Sequence, residues 1–148
     1  MINSENLKIH EIENFILKSG KNITLELSYL TLGELNEKKD NVIIYPTRYA
    51  GTHLEQGYLI GEQLALNPKE YFIIIPNMFC NGASTSPSNA QSSINGSNFP
   101  LISIQDNVTA QYQLLKQVFH IEKIKLIVGW SMGGQQAYQW ATQYPNMV

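Results

Sequence analysis

One nine-residue stretch limits what this chain can fold into more than any other: Leu126-Ile127-Val128-Gly129-Trp130-Ser131-Met132-Gly133-Gly134. The apolar run before Gly129 predicts a buried strand, and a helix-like pattern follows Gly134. The residues between them fit G-x-S-x-G, a pattern whose serine lies on a sharp turn between a strand and a helix. Such a turn leaves no room for a Cβ on the flanking glycines. We therefore predict that Ser131 has a strained backbone and an exposed hydroxyl at a helix N-terminus, where backbone N–H groups favour negative charge.

The composition describes one globular domain over residues 1–148. Hydrophobic residues make up 43% and charged residues 15%, and the net charge is −2, so we expect neither nucleic acid nor an anionic membrane as a partner. The N-terminus lacks the pattern of a secretory signal, and no apolar run approaches the ~20 residues that span a bilayer. The single cysteine, Cys80, fits a reducing compartment. These features predict a cytoplasmic protein.

The order of apolar runs predicts an α/β fold with a mostly parallel sheet. Alternation from Ile23 to Tyr29 after a turn at residues 19–22 predicts an antiparallel hairpin with residues 15–17 at one edge of the sheet. Residues 1–10 carry little pattern and read as a loose lead-in. Apolar runs predict inner strands covered on both faces. The predicted inner strands are 42–45, 71–75 and 124–128, and the predicted helices are 58–66, the segment from Ser103, and the segment after Ser131.

The two later helices have recognisable ends and faces. Asp106 follows Ser103 at a spacing close to that of a capping box, so we interpret this carboxylate as a helix cap and not as a catalytic group. Before this helix, residues 77–100 form a long loop rich in Asn, Ser, Gly and Pro. The spacing of apolar residues predicts which side of each helix is buried. The expected inner residues are Val108, Tyr112, Leu115 and Phe119 in the first helix and Ala137, Trp140, Ala141 and Tyr144 in the second.

Four separated stretches form a set that is more specific than the serine pentapeptide alone. They are Tyr45-Pro46-Thr47 with Gly51-Thr52-His53; Pro76-Asn77-Met78-Phe79 with Asn81-Gly82 and residues 84–89; Asp106-Asn107-Val108 with Gln111; and residues 129–136 with Gln139-Trp140-Ala141 and Tyr144-Pro145. In this order they resemble the homoserine O-acetyltransferase-like family of the α/β-hydrolase superfamily. The resemblance covers about residues 10–148. Cys80 departs from it, because relatives usually carry glycine there.

The resemblance implies a role for the serine and its neighbours. Ser131 would attack an acyl thioester, form an acyl-enzyme and pass the acyl group to an alcohol or to water. An oxyanion hole would use the N–H of Met132 and one N–H from the loop after the strand at 42–45. Pro46 has no N–H, so Thr47 is the predicted second donor. The expected partners are a small acyl donor, with acyl-CoA as a co-substrate, and an alcohol acceptor, with no bound cofactor and no metal.

Arg48 and Tyr49 are the remaining candidates for substrate contact in this loop. Their position next to the predicted donor Thr47 would allow them to reach a substrate. Residues of a surface loop commonly face solvent without a further role, and that interpretation applies equally to both.

The general base that such a serine needs has no counterpart after Ser131. In α/β-hydrolases the chain order is Ser, then Asp or Glu, then His, and residues 132–148 contain none of these acidic or imidazole groups. Upstream, His10 and His120 read as surface residues, and His53 as structural or substrate-facing. Losing the base costs ~10⁶ in turnover. We therefore expect an incomplete α/β-hydrolase domain, the N-terminal portion of a longer protein, truncated after the nucleophile helix and inactive alone.

Other interpretations remain open. The chain could be a pseudoenzyme or a partner-binding remnant, an esterase-type hydrolase of the same fold, or a complete small α/β binding domain. No charged residue follows Lys125, and the last strand would form an uncovered apolar edge of the sheet. Because such an edge pairs readily with another chain, we expect self-association.

Overall fold

One five-stranded sheet organises the part of the chain that the computed structural model describes, which is Ile2 and residues 6–148. The strands are β1 (Lys8–Ile16), β2 (Asn22–Leu32), β3 (Val42–Ile44), β4 (Phe72–Pro76) and β5 (Leu126–Ile127). The α-helices are α1 (Ile104–Leu114) and α2 (Met132–Gln143); a π-helical turn (Leu115–Phe119) continues α1, and 3-10 helices span His53–Leu59 and Gly96–Asn98. Within the described residues, none of these helices combines the length and apolar content that crossing a membrane requires.

The strand order β1-β2-β4-β3-β5 confirms the predicted mixed sheet. β1 pairs antiparallel with β2 and β2 antiparallel with β4, whereas β3 is parallel to both β4 and β5. Four strands therefore run in one direction and β2 alone is reversed, as expected for a mostly parallel sheet with an N-terminal hairpin. The hairpin begins at Lys8, so the expectation of a loose lead-in is wrong from that residue onward. Residue 1 and residues 3–5 of the lead-in lie outside the described part.

Both faces of β3 and β4 are buried, as their continuous apolar sequences predict, whereas β5 lies at the edge of the sheet with Leu126 exposed. Val42 and Ile44 of β3 pack on the side that carries α1 and α2, where Trp140 is fully buried. Ile43 packs on the opposite side, under the segment that connects β3 to β4. The hydrophobic core on the side of α1 and α2 is the larger of the two. β5 is shorter than the predicted strand at 124–128, and Ala141 is exposed although its spacing predicted burial.

The segment between β3 and β4 contains the main error in the predicted elements. In place of a helix at 58–66, a 3-10 helix begins at His53. It starts there because Thr52 and Glu55 form a capping box: the Thr52 N–H donates to the Glu55 carboxylate at 2.6 Å, and Thr52 Oγ1 accepts from a backbone N–H of the first turn. Beyond it the chain folds into a turn in which Gly61 donates its N–H to the Leu66 carbonyl at 3.2 Å.

The predicted cap of α1 is confirmed. The Ser103 N–H donates to Asp106 Oδ2 at 2.7 Å, and the Asp106 N–H donates to Ser103 Oγ at 3.2 Å. The other carboxylate oxygen, Oδ1, accepts from the Lys18 N–H at 2.7 Å, which joins the start of α1 to the turn of the N-terminal hairpin. Asp106 is buried, and its hydrogen bonds are those of a helix cap.

Candidate active site

The candidate site lies at the carboxyl ends of β3 and β5. These strands are neighbours, with Ile43 opposite Leu126 and Ile44 opposite Ile127. β4 lies on the other side of β3, and α1 carries the chain across β3 to reach β5. In open α/β sheets ligands bind outside the carboxyl ends of the strands at a point where the strand order reverses. The turn after β3 and the serine after β5 are therefore side by side at such a point.

The turn at Ser131 has the strain that its sequence predicts. Ser131 has φ 53° and ψ −124°, a backbone conformation that residues with a Cβ rarely adopt, and its side chain is exposed. A Cβ on Gly129 would lie 2.2 Å from the carbonyl carbon of Gly133, so only glycine fits there. A Cβ on Gly133 would lie 2.6 Å from the Pro46 carbonyl oxygen. The two glycines thus permit both the sharp turn and the close approach of α2 to the turn after β3.

The first turn of α2 presents an open N–H group next to the serine. α2 begins at Met132, whose backbone N–H has no hydrogen-bond partner among the described residues, whereas the Gly133 N–H donates to the Trp130 carbonyl at 2.9 Å. Helix N-termini carry partial positive charge. Met132 is therefore able to donate to an anionic oxygen beside Ser131, which is the position that the sequence predicts for it.

The turn after β3 does not offer the donor that the sequence analysis selected. The Thr47 N–H donates to the Pro76 carbonyl at 3.2 Å, because the pairing of β3 with β4 continues past Ile44. Thr47 is thus engaged in the sheet, and the choice of Thr47 as second donor is corrected. Arg48, one residue further on, carries a backbone N–H for which the described part of the chain provides no acceptor.

The side chains of Arg48 and Tyr49 are both within reach of solvent. Arg48 is half-buried, its Nη1 donates to the Tyr49 carbonyl at 3.3 Å, and its side chain covers Gly51. Tyr49 is 71% exposed, and Trp130, next to the serine, is 67% exposed. Two large aromatic side chains are therefore exposed beside the site. Arg48 and Tyr49 remain candidates for substrate contact, and the structure adds Trp130.

None of the three histidines forms a hydrogen bond with Ser131. His53 is buried, and Asn77 holds it by accepting the His53 backbone N–H at 2.9 Å, with the imidazole Nδ1 3.2 Å from the Asn77 amide nitrogen. This supports the structural interpretation of His53. His120 is exposed as predicted, whereas His10 lies in β1 and is half-buried. The Ser131 hydroxyl has no hydrogen-bond partner in the described chain, and no cluster of three potential metal ligands occurs among residues 2 and 6–148.

The site consists of a strand, a strained serine and a helix beside an open turn on a mostly parallel sheet. This arrangement defines the α/β-hydrolase class. The family model for the alpha/beta hydrolase fold matches residues 40–148, and the chain belongs to this family.

Similar proteins include esterases and acetyltransferases. The crystal structure of an acetylester hydrolase from Corynebacterium glutamicum matches 96% of the chain with a TM-score of 0.91 and 44% identity, and the chain covers 42% of it. An ethyl acetate hydrolase of Pseudomonas veronii is 48% identical over 78% of the chain and 34% of its own length. A homoserine O-acetyltransferase of Methanobrevibacter ruminantium is 38% identical over 89% of the chain and 30% of its own length. The resemblance to the acetyltransferase family is thus confirmed, and the chain spans less than half the length of each of these relatives.

Proposed function

We propose that this chain carries the nucleophile and the oxyanion hole of a serine-dependent acyl-transfer enzyme. The observation that supports this most directly is the conformation of Ser131, whose strained backbone directs an exposed hydroxyl to the start of α2. The proposed oxyanion donors are the open backbone N–H groups of Met132 and Arg48. Strain of this kind costs about 1–3 kcal/mol and is typical of functional sites.

The proposed reaction is acyl transfer through an acyl-enzyme. Ser131 Oγ attacks the carbonyl carbon of an ester, and the negative charge that develops on the carbonyl oxygen is stabilised by the N–H groups of Met132 and Arg48. The bond to the leaving alcohol then breaks, and the alcohol departs with the proton that Ser131 has lost. Water attacks the acyl-serine in the second half of the reaction, which releases a carboxylic acid and restores the hydroxyl.

We favour water as the acceptor and a short acyl ester as the substrate. The two esterase relatives are 44% and 48% identical to this chain, whereas the acetyltransferase relative is 38% identical. The second candidate function is transfer of an acetyl group from acyl-CoA to the hydroxyl of homoserine or a similar alcohol, which the acetyltransferase relative supports. Both candidates use Ser131 in the same way and differ only in the acyl donor and in the group that attacks the acyl-enzyme.

In this proposal the general base lies outside the 148 residues. Ser131 has no hydrogen-bond partner in the described part of the chain, and the relatives are more than twice as long as the chain. Because loss of the base costs ~10⁶ in turnover, the chain by itself is expected to acylate slowly and not to turn over at a useful rate. Its reactivity as a nucleophile is then the property to measure.

The test is covalent labelling of the 148-residue chain with a fluorophosphonate, followed by mass spectrometry of the labelled peptide. We expect the label on Ser131, loss of labelling in Ser131→Ala, and unchanged labelling in Ser88→Ala, where the serine is exposed in the long loop. Equal labelling of the wild type and Ser131→Ala would contradict the proposal and favour a non-catalytic binding role. To separate the two candidate reactions, we would incubate a stoichiometric amount of the chain with ethyl acetate alone and measure the released ethanol and acetate. In parallel, we would incubate it with acetyl-CoA and homoserine and measure O-acetylhomoserine and free CoA.

A further inference from the structure

We propose that Trp140, Gln111 and Gln136 form a buried hydrogen-bond relay that orients the Arg48 N–H and thereby positions the oxyanion hole. This inference rests on the proposed function of Ser131. The three side chains are positioning residues, because none of them contacts the space where a substrate would react. They lie on α1 and α2, behind the turn that follows β3.

The relay consists of three consecutive hydrogen bonds. Trp140 Nε1 donates to Gln111 Oε1 at 2.8 Å, and Gln111 Nε2 donates to Gln136 Oε1 at 2.6 Å. Gln136 Nε2 then donates to the Thr47 carbonyl oxygen at 3.0 Å. Each of the four residues is at most 1% exposed, so water does not compete for these bonds. The relay thus connects two helices to the turn after β3 through groups that must all be paired.

The direction of the relay is fixed at its first member. The indole N–H of Trp140 can only donate, so Gln111 has to present its amide oxygen to it. The amide nitrogen of Gln111 then faces Gln136, which in turn has to present its oxygen to Gln111 and its nitrogen to Thr47. Reversing either amide would place two donors or two acceptors against each other in a buried site. The structure therefore determines that the Thr47 carbonyl receives a donor.

Fixing the Thr47 carbonyl also fixes the N–H of the next residue. The peptide between Thr47 and Arg48 is planar and trans, so its C=O and its N–H point in opposite directions. With the carbonyl bonded to Gln136, the Arg48 N–H is turned away from the core. The same Gln136 amide also lies 3.3 Å from the Met132 carbonyl oxygen, so one side chain contacts both segments that carry the proposed donors.

Within the described residues, the bonding of the two peptides that flank Thr47 leaves only one of their polar groups free. The Pro46 carbonyl accepts from Gln56 Nε2 at 3.0 Å, and the Thr47 N–H donates to Pro76 at 3.2 Å. Of the four polar groups in the two peptides that flank Thr47, three are paired. The fourth group, the Arg48 N–H, has no partner within residues 2 and 6–148.

The test uses isotope-labelled 148-residue protein and the variant Gln136→Met, which keeps the side-chain length but cannot donate. In the wild type we expect a scalar coupling across the hydrogen bond from Gln136 Nε2 to the Thr47 carbonyl carbon. In Gln136→Met we expect a shifted Arg48 amide resonance and labelling of Ser131 by a fluorophosphonate that is slower by about tenfold to a hundredfold. The matched control is Gln139→Met on the same helix, because the Gln139 side chain bonds only to the Gln143 side chain. Its labelling rate should stay within about twofold of the wild type.

A second variant covers the case in which Gln136→Met does not fold. Gln136→Glu has nearly the same shape, and its side chain can donate to Thr47 only while the carboxyl is protonated. The Arg48 amide resonance of this variant should therefore move toward the wild-type position as the pH is lowered. A purely structural contribution to packing would not produce such a titration at Arg48.

The outcomes separate this inference from the proposed function. An Arg48 amide that is unmoved in a folded Gln136→Met variant, together with unchanged labelling, would overturn the relay. A second outcome is that Ser131 is unlabelled in the wild type and in every variant, while the Arg48 amide shifts as expected. That outcome would support the relay and contradict the proposed function.

Discussion

Gly133 and the Pro46 carbonyl oxygen are so close that a Cβ on this glycine would come within 2.6 Å of the oxygen. Gly133 lies in the first turn of α2, and Pro46 begins the turn after β3. The contact brings the helix N-terminus against the turn that carries the second proposed donor. Because both sides of the contact are backbone, neither can move aside as a flexible side chain would.

Gly133→Ala should therefore destabilise the protein. The added methyl group forces α2 away from Pro46, and overpacking of this kind costs about 1–3 kcal/mol. Urea unfolding monitored by tryptophan fluorescence measures the change in the free energy of unfolding. Gly57→Ala is the matched control, since its Cβ would meet only the Ile2 side chain at an ordinary 3.7 Å. An equal effect of the two substitutions would contradict the steric explanation.

Ser131→Gly should stabilise the protein while removing the nucleophile. A serine at φ 53° and ψ −124° is strained by about 1–3 kcal/mol in the folded protein. Glycine relieves this strain, and the relief exceeds the ~0.4–1 kcal/mol by which glycine stabilises the unfolded chain through its greater entropy. Ser131→Ala retains a Cβ and should stay within about 0.5 kcal/mol of the wild type. The midpoints of chemical unfolding give this comparison, and equal stability of the two variants would show that the serine is not strained.

Cys80 offers a second site where glycine should be the better residue. It has φ 69°, the left-handed conformation that costs residues with a Cβ about 1–2 kcal/mol. The family resemblance implies glycine at this position, and the left-handed backbone is a physical reason for that expectation. We expect Cys80→Gly to raise the melting temperature by about 2–4 °C, as a gain of about 1 kcal/mol does in a protein of this size. Cys80→Ala should leave the melting temperature nearly unchanged. A similar rise in both variants would show that loss of the thiol, and not relief of backbone strain, causes the effect.

His10 should make the stability of the protein fall below neutral pH. Burial in β1 lowers the pKa of His10 from its ordinary value of 6.5. As the pH falls through that value, the unfolded chain binds a proton that the folded chain takes up only at lower pH, so the free energy of unfolding decreases. Urea midpoints at about pH 7.5 and about pH 5.5 should differ less in His10→Gln than in the wild type. If the two urea midpoints differ as much in His10→Gln as in the wild type, His10 is not the cause of the loss of stability at low pH.

The outer edge of β5 should promote self-association. Leu126 is 43% exposed on this strand, and no described strand pairs with its outer side. Exposed apolar edges pair readily with a second chain. Sedimentation at micromolar concentration should therefore detect association of the wild type and less of it in Leu126→Lys. Val118→Lys is the control, because Val118 is 42% exposed but lies on the π-helical turn. A monodisperse wild-type monomer would contradict the prediction.

The sheet could be predicted from the sequence because its inner strands are buried on both faces. Their apolar runs, such as residues 42–45 and 71–75, need no tertiary information to be recognised. The predicted helix at 58–66, which the helix-ending pair Asn67-Pro68 favours, is wrong because a local signal further upstream places the helix start earlier. That signal, the capping pair Thr52 and Glu55, was present in the sequence and could have identified the 3-10 helix.

The serine could be predicted, whereas the groups around it could not. G-x-S-x-G requires glycines for steric reasons, so Ser131 follows from the motif. The donor in the turn after β3 depends on where the pairing with β4 stops, and the sequence does not state that Thr47 is still paired. Glutamine is rarely buried, so nothing in the sequence predicts that Gln111 and Gln136 are buried partners. Only the fold reveals that they are partners.

The hydrogen bond between Gln136 and Thr47 joins residues 89 positions apart. A ribosome makes the chain from its N-terminus, so the turn after β3 is synthesised long before the helix that orients it. Until α2 docks, the Thr47 carbonyl has to be hydrated, and nothing holds the Arg48 N–H in a single direction. The geometry of the oxyanion hole therefore forms only after α2 has been synthesised and has docked.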